Sequence, residues 1–434
     1  MTNSVPRSSQ EQWRVRANAS LAGGVSSNTR LLNPPLIVEK GRGCRIWDVD
    51  GKEYVDHLLG QGPNFLGYAH PRVLPKVLEA QAGGVIFAAT HPREIEAAER
   101  LLNVLSWADL IRFGSSSSEM VQAALRMARV STGRTRFVRF HGHYHGWFDN
   151  IHIRSRGASY EPFGGGQSAA ALADATVLQW NDLSAFEEAV TSDPDGLAAV
   201  IMEPMMFNAG AILPLPGYLE AIREICTRYG IVLIFDETIS GFRVALGGAA
   251  ERLGVTPDLA IYGKAMAAGY PCAAVAGKRE LFAGVSTGAV THAGTFNGNV
   301  VGTAAVLASL DELESGEVYT QVEAVGAQLM DGLARLSDDH RLGLSIQGLP
   351  MAFHVGFNQS GHPLVSNADV EMLDHELYGS LANALIESGV WVSSRGIWYV
   401  SAAHLETDVR ECLARVDSAM TSWVKAHSSL QLEK

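Results

Sequence analysis

Through the middle of the chain, short β-branched runs alternate with segments of helical spacing. No other feature constrains the fold as much. "TRFVRF" reads as a strand and "AAVIMEP" as a second, followed by the helix-like "PGYLEAIREICTRYG"; "IVLIFDE" and "DLAIYGKAMAAG" continue the series. Strands that alternate with helices are joined by crossovers, which lay helices on both faces of a mostly parallel sheet. The two ends read differently. "CRIWDVDGKEYVDHL" is a hairpin pattern turning at Asp50-Gly51. Beyond Glu312, long amphipathic patterns lead to "GVWVSSRGIWYVSAA", two strands around a glycine turn. The expected architecture is α/β, with a large domain over 72–311 and a smaller α+β unit built from 1–71 and 312–434.

Composition narrows the function classes. A chain of 434 residues with 47% hydrophobic and 18% charged residues buries a sizeable core. Its formal net charge is −12 and it has no Lys/Arg-rich run, which argues against nucleic-acid or anionic-membrane partners. The opening "MTNSVPRSSQEQWRVR" has no apolar segment of signal-peptide type, and the most apolar long stretch, "LAAVIMEPMMFNAGAILPLPG", is interrupted by Glu203, prolines and glycines. None of Cys44, Cys226, Cys272 and Cys412 lies in a C-x-x-C pair, so reduced thiols and a cytoplasmic location are expected.

Five stretches carry candidate chemistry. In "RFGSSSSEMVQAALRMAR" a strand end runs through four serines into a helix, and Ser116 and Glu119 have capping-box spacing. The free N–H groups of such a helix start can cup a phosphate, although a polar capped helix reads the same way. "IVLIFDETISGFR" ends an apolar strand in Asp236-Glu237, where an acid can be a ligand, a base, a counter-ion or simply a helix cap. In "DLAIYGKAMAAGYP" Lys264 sits among small residues; a desolvated amine there suits Schiff-base chemistry, and a snorkelling lysine is the plainer alternative. "RFHGHYHGW" sets His141, His143 and His145 at alternate positions, but its glycines point to a loop and nothing nearby completes a metal shell, so no metal is expected. Tyr144 within it offers a flat face to a ring. "HAGTFNGNVVGTAA" places Gly294 and Thr295 before an alanine-rich helix, as a second phosphate-style entry or an ordinary capped loop.

In chain order the five stretches, with "AGGVSSNTR", "GVTPDLAIYGKAMAAGYP", "GTFNGN" and "SSRG", resemble the class III, fold-type I aminotransferases that use pyridoxal phosphate, nearest the glutamate-1-semialdehyde aminomutase and D-phenylglycine aminotransferase types. The resemblance runs from about Gly23 to Leu310. It implies a large domain around a mostly parallel sheet of seven-stranded type. Lys264 would form the aldimine with pyridoxal 5'-phosphate and then move a proton between the substrate Cα and the cofactor. Asp236 would pair with the pyridine nitrogen. Tyr144 and Thr238 would lie against the two ring faces, and Ser117 and Ser118 would take the phosphate. Thr295 would reach the phosphate of the neighbouring subunit in a homodimer, and Glu203 and Asn208 would line the site. Arg30, after "GGV", and Arg395, in "SSRG", are the candidates for gripping a substrate carboxylate. The chain departs from the pattern where Ser116-Ser117-Ser118 replaces Ser-Gly-Thr, which would strain Ser117 if its φ were positive. It departs again at Thr238, which replaces the usual Val.

The expected activity is aminotransfer from an amino acid or carboxylated amine to a keto acid, by a ping-pong route through pyridoxamine 5'-phosphate. An intramolecular 2,1-aminomutase is the first alternative, and the short segment before "HAGTFNGN" weighs against it. A racemase or decarboxylase on the same fold is the second. A non-catalytic binding protein is disfavoured, because Lys264 and Asp236 are both present.

Overall fold

The computed structural model describes residues 9–31, 35–157 and 159–431. A seven-stranded sheet forms its centre. In chain order its strands are β1 (Leu110–Gly114), β2 (Arg136–Phe140), β3 (Ala175–Leu178), β4 (Leu197–Met202), β5 (Val232–Asp236), β6 (Leu259–Tyr262) and β7 (Ala273–Gly277). Across the sheet they run β1-β7-β6-β5-β4-β2-β3. Only β7, antiparallel to both β1 and β6, opposes the common direction.

Side chains of a strand point alternately to the two faces, so a strand covered on both sides must be apolar at every position. The central strands β4, β5 and β6 follow that rule residue by residue up to Asp236. Ala199, Ile201, Val232, Ile234, Leu259 and Ile261 join one core together with helix α1 (Ser117–Thr132). Val200, Met202, Leu233, Phe235, Ala260 and Tyr262 join the other core with helices α2 (Tyr218–Tyr229) and α3 (Val300–Leu313). Helix α3, buried along most of its length, also packs against the short turn Lys264–Ala267.

The expected hairpin is present as Arg45–Asp48 against Glu53–Asp56. The two strands expected around a glycine turn are also present, and they belong to different sheets. Val390–Trp391 adds parallel to Glu53–Asp56, whereas Ile397–Tyr399 adds antiparallel to Ala352–Phe357 in a separate three-stranded sheet. The segment between them turns on left-handed Gly396 and crosses from one sheet to the other instead of folding back. Tyr399 N still donates to His57 O, which ties the C-terminal strand to the N-terminal segment. All four cysteines are free and buried. No described helix is long and apolar enough to cross a membrane.

The acidic pair closing β5 divides its labour. Glu237 is fully buried and accepts from Ser240 Oγ (2.7 Å), Ala249 N (2.7 Å) and Ala250 N (3.0 Å), so it anchors the start of the helix Gly248–Leu253. Burial above all pushes its carboxyl up to about 7, against the pull of these donors. Glu237→Ala leaves three buried donors unpaired and should cost about 3 kcal/mol, read as a lower midpoint in thermal or urea unfolding. Glu237→Gln keeps an acceptor oxygen and should lose clearly less.

Candidate active site

Five segments leave the carboxyl ends of parallel strands on one edge of the sheet: 115–118 after β1, 141–146 after β2, Glu203 after β4, Asp236 to Thr238 at the end of β5, and Gly263-Lys264 after β6. Sites in open α/β sheets form along this edge. Register sets their heights. Phe235 pairs with Met202 and Asp236 with Ile261, so Glu203 and Asp236 stand level on neighbouring strands and Lys264 rises just beyond them. Ser117, Ser118, Tyr144, His145, Glu203, Asn208, Asp236, Thr238 and Lys264 line one cleft.

The serine run caps α1 through a full capping box. Ser116 Oγ accepts from Glu119 N, and Glu119 Oε2 accepts from Ser116 N (3.0 Å) and Ser115 N (3.2 Å). The amides of Ser117 and Ser118 are the first-turn donors left without a partner among the described residues, and both residues line the cleft at the positive end of the helix. Ser117 is the first helical residue and not a left-handed one, so the strain considered for a serine in a glycine's place does not arise. Two glycines make room for the serine hydroxyls. A Cβ on Gly263 would stand 2.5 Å from Ser117 Oγ, and one on Gly146 would stand 2.5 Å from Ser118 Oγ.

Lys264 has φ 45°, a left-handed conformation that costs a non-glycine residue about 1–2 kcal/mol. Its amine has no hydrogen-bond or ion-pair partner among the described residues. Burial, and after it the charge of Arg243, lowers its pKa to about 8; Glu203 and Asp236 pull the other way. Asp236 is held from two sides. His145 Nδ1 lies 2.8 Å from its Oδ2, while Thr238 donates to Oδ1 from both N (3.1 Å) and Oγ1.

Glu203 ties the tyrosine loop to the cleft. It accepts from Tyr144 N (2.7 Å), Asn208 Nδ2 (2.9 Å) and Asn208 N (3.2 Å), and burial pushes it up to about 7. Buried Arg139 pins the same loop by donating to the carbonyls of Phe140, His143 and Ile151. Tyr144 is left 46% exposed, with ring surface free on the cleft side.

The remaining expected residues lie elsewhere. Arg395 lines a second cavity of about 250 Å³ that shares Tyr144, His145, Gly146 and Asn208 with the cleft, and it donates to Gln61 Oε1 at 3.2 Å. Arg30 lines neither; it borders a third cavity of about 710 Å³ that Gln61 also lines. Thr295 is exposed and outside the cleft, and Asn299 caps the adjoining α3 by accepting from Gly302 N (2.9 Å). Sequence reasoning missed His145 as the partner of Asp236, because it weighed that histidine only as a metal ligand. It also missed Gln61 and Arg243, for which no local pattern gave a signal.

A family model described as aminotransferase class III matches residues 26–405. The chain belongs to the class III aminotransferases. It is 37% identical to a glutamate-1-semialdehyde 2,1-aminomutase of Methanococcoides burtonii, over 92% of this chain and 95% of that protein. Among solved structures it is similar to an omega-transaminase from Sphaerobacter thermophilus (31% identity, TM-score 0.91, covering 96% and 98% of the two chains). It is also similar to a transaminase with pyridoxal phosphate bound (28%, 0.89, 96% and 98%). Members of this family use pyridoxal phosphate.

An amine of pKa about 8 is an ammonium below that pH, with no lone pair to offer, and a free amine above it. Capture of pyridoxal 5'-phosphate by the cofactor-free protein, followed by its visible band, should therefore speed up as pH rises and level off with a midpoint near 8. Lys264→Ala should show no such pH-dependent capture.

Proposed function

We propose that this chain moves an amino group on a small carboxylated amine with pyridoxal 5'-phosphate as cofactor. The observation that carries the reading is the joint placement, in one cleft, of an unpartnered low-pKa amine on Lys264, two free helix-start amides at Ser117 and Ser118, and an ionisable Asp236 oriented by its neighbours. These groups fit an aldehyde, a phosphate and a ring nitrogen in turn. When bound, the cofactor supplies an electron sink for charge developing at the substrate Cα. Lys264 would hold the cofactor through its Nζ and, with its amine free, could take up the proton that leaves the substrate Cα. Asp236 keeps a proton on the ring nitrogen. Tyr144, its backbone fixed by Glu203, would support one ring face, and the Thr238 side chain would border the other. Asn208 braces Glu203.

Two outcomes share this machinery. The names of relatives such as the Methanococcoides burtonii protein support intramolecular 2,1-aminomutation more strongly than the expected transfer to a second substrate. One observation supports two-substrate aminotransfer: Arg395, and not Arg30, borders the cavity that opens beside Tyr144, which favours Arg395 as the group that grips the carboxylate. We also take the active unit to be a cytoplasmic homodimer with the large domain spanning 72–311. Around Thr295, Phe296 is 62% exposed and Phe87 50%, and Val300 N donates to Val85 O, so the two segments form one apolar surface suited to a second copy of the chain.

The test mixes the cofactor-loaded enzyme with glutamate 1-semialdehyde or with a panel of amino donors, each with and without pyruvate or 2-oxoglutarate. Turnover without any keto acid identifies a mutase, and turnover that requires one identifies an aminotransferase. Lys264→Ala should lower either by at least about a thousandfold. Purified protein that never takes up pyridoxal 5'-phosphate would sink the proposal altogether.

A further inference from the structure

The side chain at position 238 carries a hydroxyl that is used inside the protein. Its methyl Cγ2 lies 3.8 Å from the place a Cβ on Gly263 would occupy, so the methyl is turned toward the Lys264 segment. The hydroxyl is turned away and donates to Asp236 Oδ1, which also accepts from Thr238 N at 3.1 Å. On the other oxygen, His145 lies 2.8 Å away through Nδ1; both side chains of this pair are shut off from solvent, with His145 1% and Asp236 4% exposed. Burial holds His145 in its neutral form, so it gives the carboxylate a hydrogen bond without a full opposing charge.

A carboxylate offers about four lone-pair directions. Three are taken here by protein donors, and Asp236 lines the cleft with what remains. Each donor draws off part of the carboxylate charge, so each weakens the acceptor that a cationic ring nitrogen meets. A valine at 238 would have the same shape and the same methyl but could not do this.

We propose that Thr238 is a positioning residue whose hydroxyl, acting through Asp236, fixes the orientation of that carboxylate and moderates how tightly it holds the proton of the cofactor's ring nitrogen. The inference rests on the pyridoxal-phosphate reading above. It assigns to this chain a weaker nitrogen–carboxylate pair than the same cleft would have with valine.

The experiment loads wild type, Thr238→Val, Thr238→Ala and Thr238→Ser with pyridoxal 5'-phosphate labelled with ¹⁵N in the ring, and records the nitrogen chemical shift and the rate of cofactor release on dilution. Thr238→Val should move the resonance away from that of a fully protonated pyridinium, because a carboxylate with one donor fewer is the stronger base and draws the shared proton toward itself, and should slow release by about threefold to tenfold. Thr238→Ala, also without the hydroxyl, should move the resonance in the same direction, which keeps the test decisive if the valine variant folds poorly. Thr238→Ser should stay at the wild-type shift. An unmoved resonance in both Thr238→Val and Thr238→Ala overturns the proposal. So does a Thr238→Ser resonance that follows Thr238→Val, since that would assign the effect to the methyl. Wild type that binds no cofactor refutes the functional reading instead, and is seen before any variant is compared.

Discussion

The parallel register of β4, β5 and β6 sets the spacing of Glu203, Asp236 and Lys264, and the cleft is arranged around it. Neighbouring strands lie about 4.8 Å apart, so residues that are level in register come within reach of one cofactor-sized object. The pairing of Phe235 with Met202 and of Asp236 with Ile261 is held by two apolar cores that take alternate side chains of each strand. A slip of one residue would turn Asp236 to the opposite face and send Phe235 into its place. Apolar packing far from the chemistry therefore holds the acid and the amine at their working distance.

Charge in the cleft follows the same geometry. Glu203 and Asp236 stand side by side, and burial raises Glu203 toward neutrality, so the pair need not carry two full negative charges. Lys264 is pulled the other way, by burial and by Arg243. Arg243 has no carboxylate partner among the described residues. It donates to the carbonyls of Ile239 (3.0 Å) and Gly62 and lies between the rings of Phe65 and Tyr399, about 5 Å from each centroid. Because its positive charge is not cancelled nearby, it acts on the lysine, and it also joins the N-terminal, central and C-terminal parts of the chain. Arg139 plays the corresponding mechanical part for the tyrosine loop.

Much of this was legible in the sequence, and the rest was hidden for identifiable reasons. The strands announced themselves because a sheet covered on both faces needs unbroken apolar runs. The capping box at Ser116 and Glu119 is a local rule and was read correctly, as was the hairpin at Asp50-Gly51. Asp236 and Lys264 stood out because charged residues at the ends of apolar runs need a reason to be there. His145 could not be assigned, since its partner is 91 positions away and a histidine between glycines has no pattern of its own. The two strands around Gly396 were legible, but local sequence specifies the turn and not which sheet each strand joins. Thr238 was visible as a departure from the family, but the turn of its hydroxyl toward Asp236 depends on a rotamer that local sequence does not specify.

The residues that hold the reacting centre and those that could choose the substrate come from different parts of the chain. The cleft is lined by segments at the carboxyl edge of the central sheet, and nothing in it distinguishes moving an amino group within one molecule from moving it between two. Arg30 and Arg395 instead come from near the two termini and face separate cavities, and Gln61 is the contact between them: it lines the cavity of Arg30 and holds the guanidinium of Arg395. Gln61 itself has φ 74° in a run with Leu59, Gly60 and Gly62 that is left-handed throughout, so its position is imposed by the surrounding structure and not by local preference. A carboxylate arriving at Arg395 must compete with a neutral amide oxygen, a weaker acceptor than itself, and can displace it without having to break an ion pair. On the proposed function, that arrangement would let a substrate carboxylate engage the arginine without altering the surroundings of Lys264. Under the same proposal, specificity would change through the terminal segments without disturbing the register that places Glu203, Asp236 and Lys264.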